Sequence, residues 1–228
     1  MKQRLFIVIL IIACGTLLSA SQQRDPNFPK ELSLGAKVGV NFPDMALSPS
    51  VQQNTWIGYT AGFTMRYIEE KLFGFVIEAN FSQRGWDEKF ETDPYNYRRT
   101  FNYVEIPFMS HIYFGSDKFH AFVNLGPQLG IMLNDTYTAN FDVNNPPSFS
   151  ERNKIKESYS LPVKNIFDYG ITGGVGVELR MQRHIVALEG RYYFGLGDTF
   201  GNHKADVFYG SSANRGFTIT LSYMFRIW

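Results

Sequence analysis

Disulfides are excluded first. The chain of 228 residues carries one cysteine, Cys14, and a bridge needs two. An excess of charge is missing as well: 22 Lys and Arg stand against 21 Asp and Glu. That balance excludes a broad basic surface, so nucleic acid is not expected as a partner. No apolar run reaches the about 20 residues of a spanning helix; the unbroken one from Leu5 to Ala13 is too short. Past residue 20 there is no helical period, internal repeat or low-complexity tract. His111, His120, His184 and His203 are scattered, with no carboxylate at ligand spacing, so no metal site is assigned. No glycine-rich loop follows a strand into a helix, so no cofactor is expected. Asp198 and His203 share a loop, but a nucleophile also needs a base and an orienting acid in reach. No catalytic residue is assigned, and the protein is not expected to be an enzyme.

What is abundant is aromatic. Phe, Tyr and Trp make up 16% of the chain, more than an ordinary soluble core needs. A membrane barrel uses such residues in its lipid-facing band and interface girdles. Residues 1–20 read as a signal peptide: Lys2 and Arg4, the apolar run, then small residues at Leu18-Ser19-Ala20. Ile11-Ile12-Ala13-Cys14 also resembles a lipoprotein processing box; the ordinary cleavage region is preferred. Residues 21–31 form a short lead-in, and 32–228 the single remaining domain.

That domain alternates apolar and polar residues with the period of a strand. Eight strands are expected near 32–42, 56–68, 72–84, 104–114, 119–133, 167–179, 186–194 and 217–227. The connections run long, short, long, short, long, short, long. Outer-membrane barrels place short turns in the periplasm and long loops outside. The fold class is therefore all-β: an eight-stranded antiparallel up-and-down transmembrane barrel with both termini periplasmic.

The side opposite the apolar face carries Lys37, Arg66, Arg84, Arg191 and Arg226 against Glu78, Glu105, Asp168, Glu178 and Glu189. Buried together, such charges must pair. Equal numbers allow a complete network that fills a narrow barrel, a structural role and not a catalytic one. Tight turns would set Gly174 opposite Arg191, Gly176 opposite Glu189 and Gly62 opposite Glu78. Pro107 is expected opposite about Gly126, level with Pro127; a bulge or bend is expected there, since proline cannot donate to the ladder.

The last strand reads as the assembly signal for the barrel-assembly machinery. Phe217, Ile219, Leu221, Tyr223 and Phe225 form its lipid face, and Arg226-Ile227-Trp228 a short extension. Tyr103-Val104-Glu105-Ile106-Pro107, Gly126-Pro127 and Glu189-Gly190-Arg191-Tyr192-Tyr193 with Gly195-Leu196 resemble the PorT-like outer-membrane β-barrel family of Gram-negative bacteria. The likeness runs over about 32–226. It implies an eight-stranded barrel in contact with outer-membrane lipid; the family name is tied to protein secretion. Two other readings compete: a soluble periplasmic barrel of lipocalin type, and a membrane barrel with an enzyme site in its loops.

The longest connection, 134–165, is expected to hold a protein contact. Tyr137, Ala139, Phe141 and Val143 continue the phase of the fifth strand, and 158–164 has the polarity to pair back. A hairpin arm is expected, tipped by Pro146 and Pro147. Phe141, Phe149 and Tyr159 would stand on it beside Arg152, Lys154 and Lys156, with protease cutting near Lys154 or Lys156.

Overall fold

Period-two alternation drives every element of the computed structural model. It describes residues 28–151, 154, 158–200 and 210–228; the expected signal peptide, Cys14 and most of the expected lead-in lie outside them. The strands are β1 (Glu31–Ser48), β2 (Gln53–Asn54), β3 (Gly58–Glu70), β4 (Phe73–Glu88), β5 (Tyr97–Ser116), β6 (Phe119–Ala139), β7 (Phe167–Met181), β8 (His184–Gly195) and β9 (Ser211–Arg226). β2 is a two-residue attachment to β4. The other eight pair antiparallel in chain order, and β1 pairs with β9 to close the ring. Two-residue turns at 71–72, 117–118 and 182–183 lie at one end, and all the long loops at the other.

The expected faces hold on all eight strands. Phe63 is 73% exposed and Leu221 52%, while Lys37 and Thr220 are at 3%. Apolar residues point out and charged residues point in. A soluble ligand-binding barrel needs the reverse, so the lipocalin reading is overturned. Among the described residues no helix is long and apolar enough to cross a membrane; the strands carry the apolar surface instead.

Register is partly as expected. Gly174 pairs with Arg191 and Gly176 with Glu189. A Cβ on Gly176 would lie 2.3 Å from Phe122 Cζ, so this wall must be thin where its neighbours are large. Glu78, however, pairs with Thr64, and Gly62 with Asn80. The slip of two arises because the turn lies at 71–72, later than that pairing requires, and the irregularity between Ile68 and Glu70 takes back only one residue. Pro107 faces Gln128, not Gly126, and its neighbour Phe108 is level with Pro127. Pairing breaks on both sides of Pro107, yet the same register resumes beyond the gap. The prolines remove bonds without shifting the strands, because paired residues above and below hold the alignment.

The bulge lies elsewhere. Between Asn102 and Tyr103 the register of β5 against β6 shifts by one residue. Below it Tyr103 pairs with Met132; above it Phe101 pairs with Asp135 and Arg99 with Tyr137. Directly paired residues share a face, and a one-residue slip exchanges the faces. Tyr137 and Ala139 therefore come into phase with Arg99 and Tyr97, although Tyr137 stands clear of the barrel and is 55% exposed. Asn134, Thr136 and Thr138 turn outward beside Arg98, Thr100 and Asn102. Leu133 ends the apolar outer face at this point.

The expected hairpin arm is not formed. β6 above Asn134 pairs with β5, and 158–164 holds a turn and irregular chain. Beyond Ala139 the chain leaves the strand, and Phe141 and Val143 fold over the mouth and join Phe149 and Tyr159. This lid packs on Trp86, Tyr97, Phe101 and Phe200.

Candidate functional site

The interior is the candidate site, and it is layered. A first charged layer lies near the short turns. Arg66 and Arg180 meet Glu178 and Glu31. His120 Nδ1 lies 3.0 Å from Glu178 Oε1. Sequence spacing hides this pair, because β6 and β7 bring together residues far apart in the chain. Arg226 sits at the rim and joins the network through Glu31, at 3.4 Å, while donating to Gln182 O at 2.5 Å. Beside this layer Ile68, Tyr113, Phe122, Ile185 and Met224 form an apolar cluster.

The central layer is the most saturated. Lys37 Nζ donates to both oxygens of Glu78 at 2.9 Å. Arg191 approaches Glu78 through both terminal nitrogens, at 2.8 and 3.0 Å. Arg191 also donates to Glu189, at 2.6 and 3.2 Å. Asn80 donates to Glu78 and Asn124 to Glu189, each at 2.8 Å. Two cations thus meet two anions, with amides filling the remaining lone pairs. Such geometry is what offsets the desolvation of buried ions.

The third layer is incomplete in charge. Arg84 grips Glu105 with two bonds, at 2.7 and 3.1 Å, and lies 5.1 Å over the Tyr193 ring. Asp168 has no ion-pair partner among the described residues. It accepts from Asn214 Nδ2 at 3.1 Å and from Tyr193. The expected set is thus brought together with two corrections: Asp168 is held by neutral donors, and Arg226 lies at the edge. Glu31, His120 and Asn124 belong to the network and were missed. Glu31 stands one residue before the first expected strand.

Above these layers the lid is locked by its own bonds. Glu151 Oε1 accepts from the backbone N–H of Glu91 at 2.7 Å and of Thr92 at 2.8 Å. Asp93 accepts from Ser150 N and Oγ. Lys154 Nζ lies 3.1 Å from Glu88, donates to Lys89 O, and stands 4.1 Å over the Phe90 ring. Its side chain is fully buried, so the expected cut at Lys154 is withdrawn. Arg152 and Lys156 lie outside the described residues. Backbone donation, from Thr92 above all, lowers the Glu151 carboxyl to about 2. A depressed carboxyl stabilises above its unfolded value, about 4.3, and loses the effect as pH falls through about 2. The latch should therefore hold across neutral and mildly acidic pH. Trypsin should spare Lys154 in the native protein and cut there in Glu151→Ala, read by mass spectrometry of the fragments. Equal resistance of both would show that the aromatic packing alone holds the lid.

Asp198 accepts from Ser212 N at 2.6 Å; its expected neighbour His203 lies outside the described residues. Among the described residues no three His, Cys, Asp or Glu gather as metal ligands. Beyond Arg226 the backbone remains tied to β1: Ile227 N donates to Leu32 O at 2.8 Å and Leu32 N to Trp228 O at 3.2 Å.

A closed ring with an apolar outside and a charged inside matches one known family along most of its length. The family model for the outer membrane protein beta-barrel domain covers residues 20–201. The chain belongs to this outer-membrane barrel family. Two solved structures are similar to it. OprG of Pseudomonas aeruginosa is 12% identical with a TM-score of 0.50, over 86% of this chain and 95% of that one. Outer membrane protein W of Escherichia coli is 15% identical with a TM-score of 0.45, over 88% and 100%. No curated protein matches in sequence. As an outer-membrane barrel, the protein is an integral protein of a Gram-negative outer membrane.

Proposed function

We propose that this barrel is a non-enzymatic surface protein of the PorT-like kind, serving as a structural, surface-interaction or protein-secretion accessory component. Its strands would be folded by the barrel-assembly machinery, with β9 as the signal. Both termini and the two-residue turns would face the periplasm, and the long loops the cell exterior. The carrying observation is the filled lumen. The central layer occupies the cross-section with Lys37, Glu78, Glu189 and Arg191, and the aromatic lid covers the mouth. Such an interior supports a role carried on the outside of the barrel and not by flux through it.

Planar-bilayer recording of the purified protein tests this. No steady wide pore is expected, because an eight-stranded barrel has room only for its own side chains. Large stable conductance steps would overturn the reading and make the lid a gate.

A further inference from the structure

The upper part of β6 is an open edge. Its pairing with β7 ends at Ile131 and Phe167, with one more bond from Met132 N to Ile166 O at 2.7 Å. From Asn134 to Ala139 it is paired with β5 alone. Among the described residues no strand meets it on the other side. The cause is the shortness of its neighbours. β7 begins only at Phe167, and the chain before it turns to the lid, where Lys164 and Asn165 donate to Thr199 O. β8 ends at Gly195. Among the described residues no strand follows the line of β7 above Phe167, and a groove of about 500 Å³ opens at its foot, lined by Ile166, Phe167, Leu196 and Asp198 among others.

An unpaired edge presents a row of free N–H and C=O groups, and proteins usually guard it with lysine, proline or a cover. Asn134-Asp135-Thr136-Tyr137-Thr138-Ala139 has no lysine and no proline. Its single charge, Asp135, is matched by Arg99 at 2.9 Å. Thr and Tyr favour strands. The bulge has turned Asn134, Thr136 and Thr138 to the outer face, so the edge stands beyond the apolar belt, in water.

We infer that this edge binds an extended segment of a partner protein by strand addition, laid where β7 would continue above Phe167. The inference rests on the surface-interaction reading above and gives it a place and a mode. Main-chain bonds supply the affinity. The edge is locally neutral, so the segment it fits is uncharged and rich in β-branched or aromatic residues. A second copy fits less well. Copies in one membrane carry this edge pointing the same way, which permits only parallel pairing, slightly weaker per residue. A free segment can pair antiparallel.

The test uses the full barrel refolded in lipid nanodiscs and the capped peptide Thr-Val-Thr-Val-Thr-Val. Amide exchange is followed by NMR. At saturating peptide the edge-directed amides between Leu133 and Ala139 should slow about tenfold or more, with those of β5 unchanged. The same peptide N-methylated at alternate residues should have no effect, and Thr136→Lys with Thr138→Lys should abolish protection. No response of the edge amides, or equal response to the N-methylated peptide, overturns strand addition. Protection that grows with protein concentration and no peptide assigns the edge to a second copy and overturns the partner. Labelling of Thr136→Cys in intact cells by an impermeant maleimide checks the underlying reading separately. Failure to label overturns the surface placement, whatever the peptide does.

Discussion

Arg191→Ala should destabilise the barrel by about 3–5 kcal/mol, the cost of breaking a buried ion pair. Arg191 is 7% exposed and makes four bonds to Glu78 and Glu189. Removing it leaves two buried carboxylates to Lys37, which lies 2.9 Å from one and 3.9 Å from the other. Adding Glu189→Gln to Arg191→Met removes one charge of each sign and leaves Lys37 with Glu78. That double variant should recover about 0.5–3 kcal/mol relative to Arg191→Met alone, the usual range for coupled neighbours. Urea titration of the refolded protein in lipid measures both. Strict additivity would mean that the four charges do not act as one unit.

The second large effect is on the outer face. Leu221 lies mid-strand between Val38 and Leu188, all three exposed. Leu221→Arg should cost about 2–4 kcal/mol, the value for arginine near the bilayer midplane. Thr136→Arg also places arginine on an outer face, but beyond the bulge. It should cost within about 0.5 kcal/mol of nothing, as surface substitutions do. The same titration compares them. Equal costs would place Thr136 in the hydrocarbon and remove the boundary assigned at Leu133.

Side-chain direction was legible in the sequence along every strand but the top of β6, because a period of two survives without knowledge of partners. The pairing of Gly174 with Arg191 was also legible, since a two-residue turn at 182–183 leaves no slack. Gly62 was misplaced by two because composition marks neither the exact position of the turn at 71–72 nor the irregularity at Ile68 to Glu70. The bulge at Asn102 and Tyr103 is a single residue in an unbroken alternation. Nothing in the sequence distinguishes it, yet it reverses the phase of Tyr137 and Ala139; beyond them the chain leaves the strand, and Phe141 and Val143 join a lid where an arm was expected. The charge network was legible as a set and not as pairs. Asp168 and His120 found their partners across strands, by contacts that only the closed ring creates.

The ring is closed by its first and last strands, from Ser33 with Arg226 to Ser48 with Ser211. That seam joins the most distant parts of the chain, so its loop-closure entropy is lost before its contacts can return anything. Closure should be the slow step of folding. Until β9 arrives, β1 and β8 would each present a bare flank, and the charged layers would remain open to water. Substitutions in the seam are then expected to slow folding more than those in the β7–β8 hairpin, even where the two cost the same at equilibrium.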